Sequence, residues 1–122
     1  ILIDAPCTGL GALRRRPEVR WRRTLQDLRA LTALQRELIA SAVSALNVGG
    51  VLGYATCSPH LAETSIQVAD IKKKFGNVEQ ISVKPFIPRN LEGGVREEAM
   101  SLWTHRSGTD AMYLALFKKV SE

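Results

Sequence analysis

Two cysteines occupy matching surroundings in this chain. One stands in Asp4-Ala5-Pro6-Cys7 and the other in Thr56-Cys57-Ser58-Pro59, each just beyond an apolar run. A thiolate is a good nucleophile, but a free thiol of pKa about 8.5 is only slightly ionised at neutral pH. A helix N-terminus or a nearby cation would lower that value, and Cys57 just precedes an expected helix. Asp4 could hold an amino group of a substrate or cofactor; its plainer reading is a turn former at a strand end. The plainer reading of either thiol is a small buried hydrophobe. A thioredoxin-type redox pair is disfavoured, because there is no Cys-x-x-Cys spacing. His60 and His105 are too few and too isolated for a metal site.

A second constellation is cationic. Arg14, Arg15, Arg16, Arg20, Arg22 and Arg23 fall within ten positions, with Trp21 among them. Guanidinium groups at that density suit a phosphate backbone, and an indole can stack on a base. The bland alternative is a solvated basic loop whose Trp packs on the sheet. Lys72-Lys73-Lys74 reads as a solvated helix end, where cations suit the dipole. Gly9-Leu10-Gly11 is a weak glycine signal, and no G-x-G-x-x-G follows a strand.

The elements that must position these residues follow from pattern. Ile1-Leu2-Ile3 reads as a buried strand stopping at Asp4-Ala5-Pro6. Thr24 is an expected N-cap with Asp27 in the first turn. Leu28, Leu31, Leu34, Leu38, Ile39, Ala42, Val43 and Leu46 then trace a long amphipathic helix that Gly49-Gly50 stops. Val51–Thr56 is a second buried strand. A second helix is expected over about 60–74 and a third strand over 78–83. Residues 84–100 look irregular. Strands are expected over 101–105 and 112–120, around a turn at Ser107-Gly108-Thr109-Asp110. The alternation is that of a parallel sheet with crossover helices, to which the last strand pair adds an antiparallel edge. Neighbouring parallel strands lie about 4.8 Å apart, so both thiols would face one crevice at the strands' carboxyl ends, where open α/β sheets bind ligands.

Length and composition set the bounds. At 122 residues there is one domain at most. Hydrophobic residues at 45% and charged residues at 24% describe an ordinary globular chain. No apolar stretch is long enough to span a membrane, and no signal peptide is evident. Two cysteines make no disulfide framework, which fits a reduced, cytoplasmic setting. A net charge of +5 favours an anionic partner. The chain lacks an initiating Met and opens on an apolar run, which reads as a start inside a domain.

Asp4-Ala5-Pro6-Cys7-Thr8-Gly9-Leu10-Gly11, continued by Leu13-Arg14-Arg15-Arg16-Pro17-Glu18-Val19-Arg20-Trp21, resembles motif IV of RNA 5-methylcytosine methyltransferases. Tyr54-Ala55-Thr56-Cys57-Ser58-Pro59-His60 with Glu63 resembles that family's motif VI. The likeness is greatest to the bacterial Sun/Fmu-type enzymes of small-subunit ribosomal RNA. It extends to Leu102-Trp103-Thr104-His105 and Gly108-Thr109-Asp110, although Asp110-Ala111-Met112-Tyr113 stands where the family commonly reads Asp-Gly-Phe-Phe.

The resemblance implies the C-terminal half of a Rossmann-like methyltransferase sheet, with residues 1–122 as part of one catalytic domain. It implies Cys57 as the nucleophile adding to C6 of a cytosine and Cys7 as the thiol that releases the product. Asp4 would lie at S-adenosylmethionine, near the target base. The base would be flipped or single-stranded, since C6 is inaccessible in a stack. The family's Gly-rich cofactor loop and ribose-holding acid would lie upstream of Ile1. The expectation is therefore a piece that is inactive alone and exposes a sheet edge prone to self-association. The partner is RNA, of ribosomal origin by the likeness, with no metal and no membrane. A non-catalytic RNA-binding or assembly module retaining the fold is the alternative. A DNA cytosine methyltransferase is disfavoured, because the thiol of Thr56-Cys57-Ser58 is not part of that pattern.

Overall fold

A computed structural model describes residues 1–122. Strand β1 spans Leu2–Asp4 and leads through a 3-10 turn, Leu10–Ala12, to the short helix α1, Val19–Arg22. The long helix α2 runs Leu25–Ala45 and β2 runs Val51–Thr56. Helix α3, Ser65–Lys74, leads to β3, Val78–Ile81. The hairpin strands β4, Val95–Arg96, and β5, Ala99–Leu102, precede a single turn of helix, α4, Thr104–Ser107. Strand β6, Met112–Lys119, closes the chain.

All six strands form one sheet. β1 pairs parallel with β2, and β2 pairs antiparallel with β6. The far side of β6 is shared: its first residues pair with β5 and its last with β3. The last strand therefore lies inside the sheet rather than adding an edge to it. Its alternation explains the position. Tyr113, Ala115, Phe117 and Lys119 turn into the core while the residues between them stay half-exposed, apart from the exposed Lys118. β1 has one hydrogen-bonded neighbour, β2.

Helix α2 starts where the sequence predicts. Asp27 N–H donates to Thr24 Oγ1 at 3.2 Å and Thr24 N–H donates back to Asp27 Oδ2 at 2.8 Å, a reciprocal cap. Its other end comes before the glycines, at Ala45. The buried Lys119 ammonium donates to the carbonyls of Val43 at 3.3 Å and Leu46 at 2.8 Å, meeting acceptors that the helix end leaves unpaired. The inward stripe also departs from the leucine pattern. Thr32, Gln35, Ile39, Ala42 and Val43 are buried, whereas Leu34 faces out. Ile39, Val43 and Leu46 join Val68 and Ile71 of α3 and Leu52, Tyr54 and Phe117 of the sheet in one apolar cluster.

Three further expectations are revised. The second helix is split, with a 3-10 turn at Leu61–Glu63 before α3, so the α-helix begins eight positions after Cys57 rather than beside it. Residues 84–100 include β4 and the start of β5, a hairpin whose two turn residues, Glu97 and Glu98, both have positive φ (49° and 67°). That backbone is ordinarily signalled by Asn or Gly, which is why the sequence hides it. The strand expected over 101–105 ends at Leu102, and α4 follows, closed by Gly108 at φ 64°. No helix is long and apolar enough to cross a membrane.

Candidate active site

The parallel register places Ile3 opposite Tyr54 and Asp4 opposite Ala55, so β1 and β2 release the chain at one level of the sheet. Ala5 N–H still donates to the Ala55 carbonyl at 2.9 Å. Just past this point the thiols of Cys7 and Cys57 meet, with their sulfurs 3.4 Å apart. Both are free and partly exposed.

Burial pushes the Cys7 thiol up to about 12, and its hydrogen bond to Cys57 and the charge there push the same way. The backbone amides of Gly9 and Cys57 act in the opposite sense. Cys7 accordingly keeps its proton at neutral pH.

The loop carrying Cys7 is held against the loop carrying Cys57. Gly11 N–H donates to the Cys57 carbonyl at 2.9 Å, and Ala111 N–H donates to the Gly11 carbonyl at 2.8 Å. A Cβ on Gly11 would stand 2.0 Å from the Ala111 oxygen and 2.6 Å from the Cys57 oxygen, so this position admits only glycine. The weak glycine signal thus marks close backbone approach, not a phosphate cradle. Below the two loops, the fully buried Glu63 accepts from Thr8, Ser58 and Gln35. Tyr54 O–H donates to the Glu63 carbonyl at 2.8 Å. Burial, followed by the charge of Glu63, raises the Tyr54 hydroxyl well above its ordinary value.

Asp4 ends β1 with an exposed carboxylate that makes no hydrogen bond or ion pair within the chain. The arginines divide. Arg14 Nε lies 2.7 Å and Arg15 Nη2 2.6 Å from the Asp110 carboxylate, which their hydrogen bonds hold below the usual carboxylate range. Arg23 Nε donates to the Thr8 carbonyl at 3.0 Å. Arg20 stacks its guanidinium 4.1 Å from the Trp21 ring centroid, and Trp21 is 71% exposed. Arg16 and Arg22 are exposed and make no ion pair. No group of three or more His, Cys, Asp or Glu side chains is placed to hold a metal ion.

Residues 1–118 match the 16S rRNA methyltransferase RsmB/F family. The chain belongs to that family. The Mycobacterium tuberculosis protein named "Putative methyltransferase Rv1407" is 49% identical over 121 residues, covering 99% of this chain and 26% of its own length. The ribosomal RNA small subunit methyltransferase B of Vibrio cholerae is 36% identical over 120 residues, covering 98% of this chain and 25% of its own. The crystal structure of NSun6 from Pyrococcus horikoshii with SFG superposes with a TM-score of 0.80 at 31% identity, covering 100% of this chain and 30% of that one. The chain thus spans about a quarter of the length of the curated relatives it matches. The likeness to solved methyltransferases is one of fold as well, so the sheet is that of the Rossmann-like methyltransferases.

Reading the sequence as an RsmB/F chain finds the cysteines, Asp4 and the basic loop, but not the layer beneath them. Thr8, Gln35, Ser58 and Gln67 are buried polar residues to which no expectation gave a role. Two signals pointed there. A hydroxyl residue follows each cysteine, and Thr32 and Gln35 interrupt an otherwise apolar helix period.

Proposed function

We propose that this chain carries the catalytic cysteines for methylation of carbon 5 of cytosine in ribosomal RNA, in the cytoplasm. The observation that carries this reading is the 3.4 Å approach of Cys7 and Cys57 at the carboxyl ends of two parallel strands. Cys57 is the nucleophile and adds to C6 of the cytosine, which makes C5 electron-rich. When bound, S-adenosylmethionine supplies the electrophilic methyl group, and SFG is an analogue of it. Cys7 enters this step with its proton, its sulfur 3.4 Å from that of Cys57. After transfer Cys7 gives up its own proton to water and, as the thiolate, takes the C5 proton, so that the C6–sulfur bond breaks and Cys57 leaves.

Asp4 fits the cofactor. Its carboxylate is exposed at the strand end and unpaired within the chain, which suits an ammonium or hydroxyl donor. The 122 residues hold no Gly-rich strand-to-helix loop, so the remaining cofactor contacts fall to the rest of a protein of the relatives' length. The free side of β1 is where a further strand would pair, whether from that remainder or from a second copy. Trp21, Arg16, Arg20 and Arg22 are exposed and free of ion pairs within the chain, and they meet the RNA; Arg14, Arg15 and Arg23, held by Asp110 and the Thr8 carbonyl, brace that loop.

The test is a pair of variants in the full-length protein with cofactor and RNA transcript. Cys57→Ser abolishes methyl transfer and keeps RNA affinity, because only the nucleophile is lost. Cys7→Ala forms a protein–RNA adduct that persists on a denaturing gel. Methyl transfer at the wild-type rate in either variant refutes the assigned roles.

A further inference from the structure

The 3.4 Å spacing of the sulfurs has a structural origin that the catalytic reading does not supply. Each cysteine is followed by a hydroxyl residue, Thr8 after Cys7 and Ser58 after Cys57, and both hydroxyls converge on one carboxylate. Thr8 donates to Glu63 twice, from its backbone N–H to Oε1 at 2.8 Å and from Oγ1 to Oε2 at 2.7 Å. Ser58 Oγ donates to the same Oε2. Gln35 Nε2 donates to Oε1 at 3.2 Å and also to the carbonyl of Pro6, the residue before Cys7, at 2.9 Å. Thr8, Ser58, Gln35 and Glu63 are all buried, and no cation pairs with the carboxylate.

A buried carboxylate without a counter-ion is costly unless donors meet its oxygens, and an apolar side chain of similar volume would serve packing at least as well. Four donors aimed at two oxygens describe a different task. They tie together the residues flanking the two sulfurs, from two loops fifty positions apart in sequence.

We propose that Glu63 is a positioning residue for both thiols, clamping the loop of Cys7 to the loop of Cys57 through Thr8 and Ser58. The proposal rests on the reading that both cysteines act in methyl transfer. Glu63 itself touches only these loops and their supports.

Side-chain chemistry separates the clamp from mere packing. Glu63→Gln keeps one oxygen for the Thr8 N–H and the Gln35 amide. Its NH2 then faces two hydroxyls whose rotors can turn to accept. Glu63→Ala leaves the donors unmet and the loops untied. Thr8→Val and Ser58→Ala each cut one arm.

The juxtaposition can be read without RNA or cofactor. Phenylarsine oxide condenses with two thiols to give a dithioarsenite and one water, with no change in oxidation state, and it needs both sulfurs on one arsenic. Its capture by Cys7 and Cys57 is measured by titration and mass spectrometry on this chain and on the full-length protein. Thermal melts accompany each variant, with the core truncation Val43→Ala as a destabilised control.

Capture weakens by about tenfold in Glu63→Ala, because the thiol pair is no longer preorganised. It weakens less in Thr8→Val and Ser58→Ala, and it is restored in Glu63→Gln. Val43→Ala captures like wild type. In the full-length enzyme, Glu63→Ala lowers kcat by about a hundredfold with little change in KM for RNA, as expected for misplaced reacting groups. If Glu63→Ala does not fold, the two single-arm variants carry the test. Wild-type capture in every folded variant, or loss in Glu63→Gln equal to that in Glu63→Ala, overturns the clamp. Altered capture alongside methyl transfer that survives Cys57→Ser would keep the clamp and remove the catalytic reading.

Discussion

The rim of the sheet and the arginine loop are adjacent in sequence and opposite in construction. From Ala5 to Ala12 the chain is pinned by backbone bonds to Ala55 and Cys57 and by a buried carboxylate. From Arg14 to Arg23 it is mostly exposed and attached at few points, chiefly Asp110 and the Thr8 carbonyl. Covalent chemistry needs atoms held to fractions of an ångström, and buried hydrogen bonds supply that. Contact with a polyanion needs charge and reach, and it tolerates loose geometry. The two regions should therefore fail differently when perturbed.

The largest contrast is expected at Gly11, where the rim admits no side chain. Gly11→Ala should destabilise the fold by about 3 kcal/mol, the upper end for overpacking, because backbone and not a flexible side chain blocks the Cβ. Chemical denaturation measures this, and a shift near zero would mean that the loops are not pinned. Gly9→Ala, with open space at its Cβ, suffers only the strain of its φ of 72°.

Within the basic loop the effect is smaller and graded. Replacing Arg16 and Arg22 together by Ala should reduce the salt slope of RNA binding by about 1.4, as for two single-strand phosphates. Replacing Arg14 and Arg15 should reduce it less, because their guanidinium groups already face Asp110. Equal slopes for the two pairs would show that Asp110 does not sequester its partners.

The smallest effect at neutral pH belongs to Cys7. The native state keeps this proton between the ordinary thiol value of 9.0 and about 12, while the unfolded chain loses it. Stability therefore falls as pH rises through that window. Burial raises the Tyr113 hydroxyl from 10.0 to about 12 and steepens the upper part of the fall. Denaturation midpoints against pH should decline less between 9 and 10 in Cys7→Ala than in wild type, and identical profiles would contradict this.

The same two regions differ in how far they could be read from sequence. Strand β2 and helix α2 were legible, because an apolar run and a cap are local; β1 was legible as a strand but its burial was not, since Leu2 is 70% exposed. The cysteines were legible as a pair because parallel strands carry equivalent residues to one rim. The placement of β6 inside the sheet was not, since strand order depends on long-range pairing that leaves no local pattern. Neither was the clamp beneath the thiols. Glu63 was visible as a motif residue, but not that the 3-10 turn at Leu61–Glu63 carries it inward beneath both loops. The loop arginines were visible as a group, but Asp110 lies almost a hundred positions away, so their division could not be seen.

The claim that two thiols act together on a pyrimidine is tested most directly by covalent trapping. Full-length protein is incubated with S-adenosylmethionine and RNA containing 5-fluorocytosine, whose fluorine blocks release, and the adducted peptide is sequenced by mass spectrometry. The account predicts one nucleotide attached to Cys57, with Cys7 unmodified beside it. An adduct on Cys7 alone, or none at all with RNA binding intact, contradicts it.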